Sequence, residues 1–74
     1  MFIIELGTKK GDILEVFTSH EMKGYDHYII KHIILDNKLN IISEKIFDPS
    51  KDIPLSKHNI SGYDDRVYAL SVCN

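Results

Sequence analysis

Four histidines and one cysteine carry the most specific chemistry in this sequence: His20, His27, His32, His58 and Cys73. Imidazole nitrogen and thiolate sulfur are ligands that suit zinc and non-haem iron. However, His27 and His32 lie five positions apart in a β-branched segment, and an odd separation along an extended strand places two side chains on opposite faces. The spacing therefore does not predict a shared ion, and we expect hydrogen-bonded or surface histidines.

Three segments bear on the same residues: His20-x-Met22, His27-Tyr28-Ile29 and the closing run 69–74. Together they resemble the iron domain of superoxide reductases, an immunoglobulin-like sandwich that binds iron through four histidines and one cysteine. The resemblance implies His20 and His27 as equatorial ligands and Cys73 as the axial thiolate. The two histidines are one residue further apart than in the family, no histidine precedes His20, and none follows Cys73. A complete five-ligand site is therefore not predicted, and we expect no metal and no cofactor.

Catalysis by the protein's own side chains is not predicted either. A reactive thiolate needs a neighbouring base or a helix N-terminus, and the sequence places neither beside Cys73, which we interpret as a small core residue. Asp26 with Asp64 and Asp65 could form a carboxylate pair, but adjacent aspartates after Gly62 are typical of a solvated turn. We therefore expect that the protein is not an enzyme.

Tyrosines next to acidic residues form the strongest candidate binding site. The predicted binding residues are Tyr25, Asp26, Tyr63, Asp64 and Asp65. Tyrosine supplies a large contact area at low rotamer cost, and carboxylates steer a basic partner. The alternative is that Tyr28 and Tyr68 are half-buried strand residues and that the others are ordinary turn residues.

Charge and composition narrow the classes of partner. Nine basic residues stand against eleven acidic ones, and the net charge is −2. Nucleic-acid affinity needs a basic stripe that neutralises phosphates, so nucleic acid is not expected as a partner. No apolar run approaches the roughly 20 residues that cross a bilayer, and no secretory leader is recognisable. The chain is therefore expected in the cytoplasm, without a membrane partner.

The elements that must position these residues are β-strands. Twelve isoleucines, three valines and two threonines stand against one alanine, and β-branched side chains favour a pleated surface. Strands are predicted over 2–6, 13–19, 28–35, 39–47 and 66–73, with the second pairing back on the first and the third and fourth forming a central hairpin. The segments 48–54 and 55–65 are predicted as a loop and a polar connection.

About five antiparallel strands in 74 residues predict a single all-β domain over 1–74, either a half-open barrel or a sandwich. The run from Gly7 to Val16, followed by Lys23-Gly24, resembles the first hairpin of the ribosomal-protein KOW motif, which implies a small barrel. The predicted core is Ile4, Leu6, Val16, Ile30, Ile34, Ile42, Val67 and Leu70.

By elimination and from the tyrosine and aspartate pattern, we expect a small non-enzymatic protein-interaction module. It would be a regulator or inhibitor from a phage or an AT-rich bacterium that binds a larger protein. Exposed strand edges also leave room for a homodimer. The alternatives are a non-haem iron redox protein with an incomplete site and a small-barrel nucleic-acid binder.

Overall fold

The computed structural model describes residues 1–19, 22, 27–63 and 65–74. These residues form seven β-strands and no helix, which confirms the all-β prediction. The strands are β1 (Phe2–Glu5), β2 (Thr8–Lys10), β3 (Ile13–Phe17), β4 (Ile29–Leu35), β5 (Ile41–Ile46), β6 (Leu55–Asn59) and β7 (Tyr68–Cys73). The predicted count of five was too low, because two short strands lie in segments that we expected to be connections.

The strands form two antiparallel sheets packed as a sandwich. The four-stranded sheet has the order β1-β7-β4-β5 and the three-stranded sheet the order β2-β3-β6. The core lies between them, where Leu14 and Val16 pack against Ile34 and Ala69. No ladder joins the two sheets within the described residues, so the sandwich prediction is confirmed and the half-open barrel was wrong.

The central hairpin and the closing strand are as predicted. β4 and β5 pair with each other, and β7 lies on the other side of β4. The turn between β4 and β5 is held by Asp36, whose Oδ1 accepts hydrogen bonds from the backbone N–H groups of Lys38 and Asn40, each 2.9 Å long. Leu39 was predicted to begin the second strand of this hairpin (39–47), but it lies in the turn and has a φ of 66°.

The first predicted strand pairing was wrong. β1 pairs with β7 at the far end of the sequence, with Phe2 opposite Val72. β3 instead pairs with β2, across a turn in which Gly11 has a φ of 62°. The hairpin therefore forms within residues 8–17, and the segment expected to be only its turn contains a strand.

Two predicted core residues proved to be on the surface. Val16 and Ile34 are fully buried, but Ile4 and Leu6 are 78% and 94% exposed. The remaining four predicted core residues, at positions 30, 42, 67 and 70, are half-buried. Because β1 pairs with β7, Ile4 points outward and Glu5 points toward the interior.

β6 was missed because its buried face is polar. Along the strand, Ser56 and His58 point inward and are 5% and 3% exposed, while Lys57 and Asn59 point to solvent. A period of two is present, but polar residues occupy the buried positions, so the segment resembled a connection.

Candidate functional site

The predicted tyrosine and aspartate patch is described only in part. Tyr63 and Asp65 are exposed, and the Oδ2 atom of Asp65 accepts a 2.8 Å hydrogen bond from Asn37 Nδ2. Tyr25, Asp26 and Asp64 lie outside the described residues. Asp65 lies at the end of the four-stranded sheet, because Asn37 follows β4 and Asp65 precedes β7, whereas Tyr63 N–H bonds to the carbonyl of Ile60, just after β6.

Two of the residues in the superoxide reductase resemblance meet in space. The Nε2 atom of His27 lies 3.9 Å from Cys73 Sγ. Cys73 is 2% exposed and packs with Ile29 and Phe47, so its prediction as a core residue is confirmed, although the imidazole beside it was not foreseen. His20 is outside the described residues, and the described ones contain no group of three side chains suited to a metal ion.

A chain of hydrogen-bonded polar side chains runs through the interior of the sandwich. Its members are Glu5, Thr18, His32, Ser43, Ser56, His58 and Ser71, and we refer to them as the polar chain. Thr18 follows β3, and the others come from β1, β4, β5, β6 and β7. The polar chain therefore connects the two sheets through side chains, across the space that a β-sandwich usually fills with apolar groups.

One end of the polar chain gathers around the carboxylate of Glu5. Ser71 Oγ lies 2.8 Å and Thr18 Oγ1 lies 3.0 Å from Glu5 Oε1. The two hydroxyl oxygens are 2.6 Å apart. Each hydroxyl has one hydrogen, so the three contacts contain only two protons. Ser71 donates to Glu5, and Thr18 donates its one hydrogen either to Glu5 or to Ser71, so in both cases this hydrogen points away from His32.

The other end passes through both buried imidazoles. His32 Nε2 lies 2.8 Å from Thr18 Oγ1, and His32 Nδ1 lies 2.6 Å from Ser56 Oγ. The same Ser56 hydroxyl is 2.8 Å from His58 Nε2. His58 Nδ1 ends the sequence of contacts at Ser43 Oγ, 2.6 Å away. One serine therefore bridges two histidines that lie in opposite sheets.

The carboxylate fixes the direction of every hydrogen bond. Since Thr18 donates toward Glu5, it accepts from His32 Nε2–H, which leaves Nδ1 of this neutral ring as an acceptor for Ser56. Ser56 then accepts from His58 Nε2–H, and His58 Nδ1 accepts from Ser43. Both imidazoles are neutral Nε2–H tautomers in this assignment, and all the donors point toward Glu5.

Burial supports the neutral state of both rings. The pKa of His32 is lowered to about 4, mainly because the ring loses its solvation. The charge of Glu5 opposes this shift, and the neighbouring His58 adds to it. Burial also lowers the pKa of His58. Desolvation disfavours the charged form of an imidazole, so both rings are neutral at pH 7, as the hydrogen-bond directions require.

The polar chain has the residue types of a catalytic relay but not the access of one. Ser56 beside His32 and His58 resembles a nucleophile with its base. Ser56 is 5% exposed, and no pocket opens beside it in the part of the chain that the structure describes. What the described residues show of this arrangement is that it joins the two sheets through buried side chains.

The outer face of the four-stranded sheet, which points away from the core, is mostly apolar. The strand registers place on it Phe2, Ile4, Lys31, Ile33, Leu35, Ile41, Glu44, Ile46, Tyr68, Leu70 and Val72. Its charged residues are Lys31 and Glu44, whose side chains pair at 3.5 Å. Phe2, Ile4 and Ile46 are 69%, 78% and 64% exposed.

The outer face of the three-stranded sheet is different in character. Glu15 lies at its centre, with Lys10 Nζ 3.7 Å and Lys57 Nζ 4.0 Å from the same carboxylate oxygen. Ile13 and Phe17 share this face and are 36% and 55% exposed, so it mixes charged and apolar side chains. Of the two faces, the four-stranded sheet's is the more apolar.

Comparison of the chain with family models, with curated proteins and with solved structures finds no match. Inferences about function therefore rest on the side chains themselves. Among the described residues there is no helix long and apolar enough to cross a bilayer.

Proposed function

We propose that the protein is a small interaction module that binds another protein through the outer face of its four-stranded sheet. The observation that carries this proposal is that the outer side of the sheet is apolar, apart from the Lys31–Glu44 pair, while its inner side holds the polar chain. Its exposed apolar residues lie on the two edge strands, whereas Ile33 on the inner strand β4 is only 7% exposed. Exposed apolar residues gathered on one face mark contact sites in soluble proteins.

The exposed side chains supply the driving force for binding. Burying a large aliphatic or aromatic side chain contributes about 1.5–3 kcal/mol, and Phe2, Ile4 and Ile46 are each more than half exposed. The centre of a protein interface is depleted in charge, while its rim is polar. Lys31 and Glu44 neutralise each other, so the face presents no unpaired charge to a partner.

The residues predicted from sequence fit the rim of this surface. Asp65 lies beyond the end of the sheet where Leu35 and Tyr68 are opposite each other. There Asp65 and the neighbouring Arg66, which interacts with Tyr68, would add a charged rim, and the exposed Tyr63 would add an aromatic contact. We propose that the module acts without catalysis in the cytoplasm, as a regulator or inhibitor of a larger protein in a phage or an AT-rich bacterium.

Nucleic-acid binding is less well supported. Lys10 and Lys57 are both held near Glu15, which offsets their charge. Phosphate contacts require lysines that are free to replace counterions. The lysines on this face are therefore poorly arranged for a phosphate backbone.

The test is affinity capture from bacterial lysate with wild type, Ile46→Lys and Ile53→Lys in parallel. Ile46 lies on the outer face, whereas Ile53 lies in the loop before β6, and the two are almost equally exposed at 64% and 63%. We expect Ile46→Lys to lose a protein that wild type and Ile53→Lys retain.

A further variant, Tyr63→Ala/Asp65→Lys, tests the rim and should weaken capture without abolishing it. Equal capture by Ile46→Lys and wild type would contradict the proposed surface. Retention of nucleic acid alone at about 0.15 M salt, where weak charge contacts are screened, would favour the nucleic-acid alternative.

A further inference from the structure

We propose that a second copy of this chain pairs with the outer edge of β1, to which no other described strand is bonded, so that two four-stranded sheets continue into one eight-stranded sheet. This inference builds on the proposed function, because the pairing joins two apolar outer faces side by side. It identifies the partner at one edge as the protein itself.

The four sheet edges are not equally protected against pairing. Lysine on an edge strand discourages a further strand from adding. The edge strand β2 carries Lys9 and Lys10, β5 carries Lys45 and β6 carries Lys57. β1 has no lysine, and its one charged residue, Glu5, hydrogen-bonds inward to Thr18 and Ser71. β1 is therefore the edge that lacks this protection.

The backbone of β1 presents donors and acceptors to this edge. Met1 and Cys73 exchange two hydrogen bonds, of 3.0 and 2.9 Å. Hydrogen-bonded pairs alternate along an antiparallel ladder, so Ile3 and Glu5 also bond toward β7. Phe2 and Ile4 consequently direct their N–H and C=O groups away from β7, and no other described residue bonds to these groups.

Twofold symmetry then sets one register within β1. With the axis at Ile3, Phe2 of each copy lies opposite Ile4 of the other, and the two such pairs exchange four hydrogen bonds. Phe2 and Ile4 are both on the outer face, so an aromatic ring packs beside a β-branched side chain across the junction. Cross-strand pairs of this type stabilise a sheet.

The size of the outer face supports the same arrangement. Four strands about 4.8 Å apart, each about five residues long, cover on the order of 300 Å². A standard interface needs about 800 Å² from each partner. One face is therefore small, whereas two joined faces approach the area of a stable contact surface.

Sedimentation velocity from micromolar to millimolar concentration tests the dimer. We expect wild type to shift from monomer to dimer, and Ile4→Pro to remain a monomer. Proline removes the outward N–H of Ile4, which makes no bond within the sheet, and proline is tolerated on edge strands. Ile46→Lys at the opposite edge is the control and should dimerise like wild type. Circular dichroism verifies that each variant is folded.

Crosslinking tests the register. In the proposed pairing the Cα atoms of Phe2 and the opposing Ile4 are about 5.5 Å apart, within disulfide range, whereas identical residues are farther apart than the limit of about 7 Å. An equimolar mixture of Phe2→Cys and Ile4→Cys should form a disulfide-linked dimer in oxidised glutathione. Each variant alone should form much less.

Three outcomes would overturn the inference: a wild type that is monomeric at millimolar concentration, a folded Ile4→Pro that still dimerises, or a dimer lost equally in Ile46→Lys. In each case lysate capture that depends on Ile46 would leave the proposed function intact. Conversely, a β1 dimer that captures nothing would support the pairing and contradict the wider function.

Discussion

At the scale of single residues, Ser56 has the most demanding position in the polar chain. Its one hydroxyl donates to His32 Nδ1 and accepts from His58 Nε2. Among the described residues, every buried side-chain nitrogen and oxygen has a hydrogen-bond partner. This complete pairing is the condition under which a buried polar network does not destabilise a core.

We predict that Ser56→Ala lowers the free energy of unfolding by about 2–4 kcal/mol, because two buried ring nitrogens lose their partner and each such loss costs about 1–3 kcal/mol. Ser43→Ala, at the end of the polar chain, leaves only one ring nitrogen, His58 Nδ1, without its partner, so it should lower the free energy of unfolding by about half as much. Ser61→Ala, on the surface, is the control and should change little. Urea unfolding measures all three, and equal values for Ser56→Ala and Ser61→Ala would contradict the network.

Stability should also depend on pH through His32. The pKa of His32 is about 4 in the folded protein and 6.5 in an exposed chain, so between these pH values the unfolded state binds more protons. Its contribution is complete above pH 6.5 and is lost as the pH falls toward 4. The loss is on the order of 3 kcal/mol, since each pH unit is worth about 1.4 kcal/mol.

Urea unfolding at several pH values between 7.5 and 4 measures this dependence. His32→Gln is the control, since an amide can donate and accept but does not titrate in this range. We expect a flatter profile in that variant. The same slope in wild type and His32→Gln would show that other groups cause the pH dependence.

At the scale of elements, the strands rich in apolar residues were predictable from sequence, and the two mostly polar strands, β2 and β6, were not. Residues 28–35 and 66–73 have apolar side chains on both faces, and both were located. β6 was missed because Ser56 and His58 occupy its buried positions. β1 was located but assigned the wrong face, because its apolar Phe2 and Ile4 point outward and its one acid points inward. Pairing of β1 with β7 depends on residues far apart in sequence, which local patterns do not reveal.

The turn between β4 and β5 yields a prediction of its own. Leu39 has a φ of 66°, in a region that costs a residue with a side chain about 1–2 kcal/mol. Leu39→Gly should therefore raise the free energy of unfolding by about 0.5–1 kcal/mol, after allowing for the greater entropy of unfolded glycine. Lys38→Gly, where φ is not positive, is the matched control and should lower stability. Thermal unfolding measures both, and a destabilised Leu39→Gly would contradict this account.

At the scale of the whole molecule, the usual distribution of apolar side chains inside and polar side chains outside is partly reversed. A polar chain lies between the sheets while an apolar face is turned to solvent, and this reversal is the basis for the proposed function. The sequence suggested protein binding through Tyr63 and Asp65, but not the sheet face, since alternating apolar residues normally indicate a core. The face could be found only once β1 was known to lie beside β7.

We predict that the purified protein contains no stoichiometric iron or zinc. Within residues 1–19, 22, 27–63 and 65–74, His27 and Cys73 are the two potential ligands that meet, and structural zinc sites need four. Elemental analysis of untagged protein measures the metal content, with His27→Ala as the comparison. Iron or zinc at one equivalent in wild type, lost in His27→Ala, would contradict the prediction and favour the redox alternative.

The pairing of β1 with β7 also has a kinetic consequence. Phe2 and Val72 are partners across nearly the full length of the chain, and closing so long a loop costs entropy before any contact is gained. Proteins dominated by such distant pairings fold in milliseconds to seconds, far more slowly than helical bundles of the same size. Before β1 pairs, β7 is itself an edge of the sheet, and an edge strand without protection can pair with another chain.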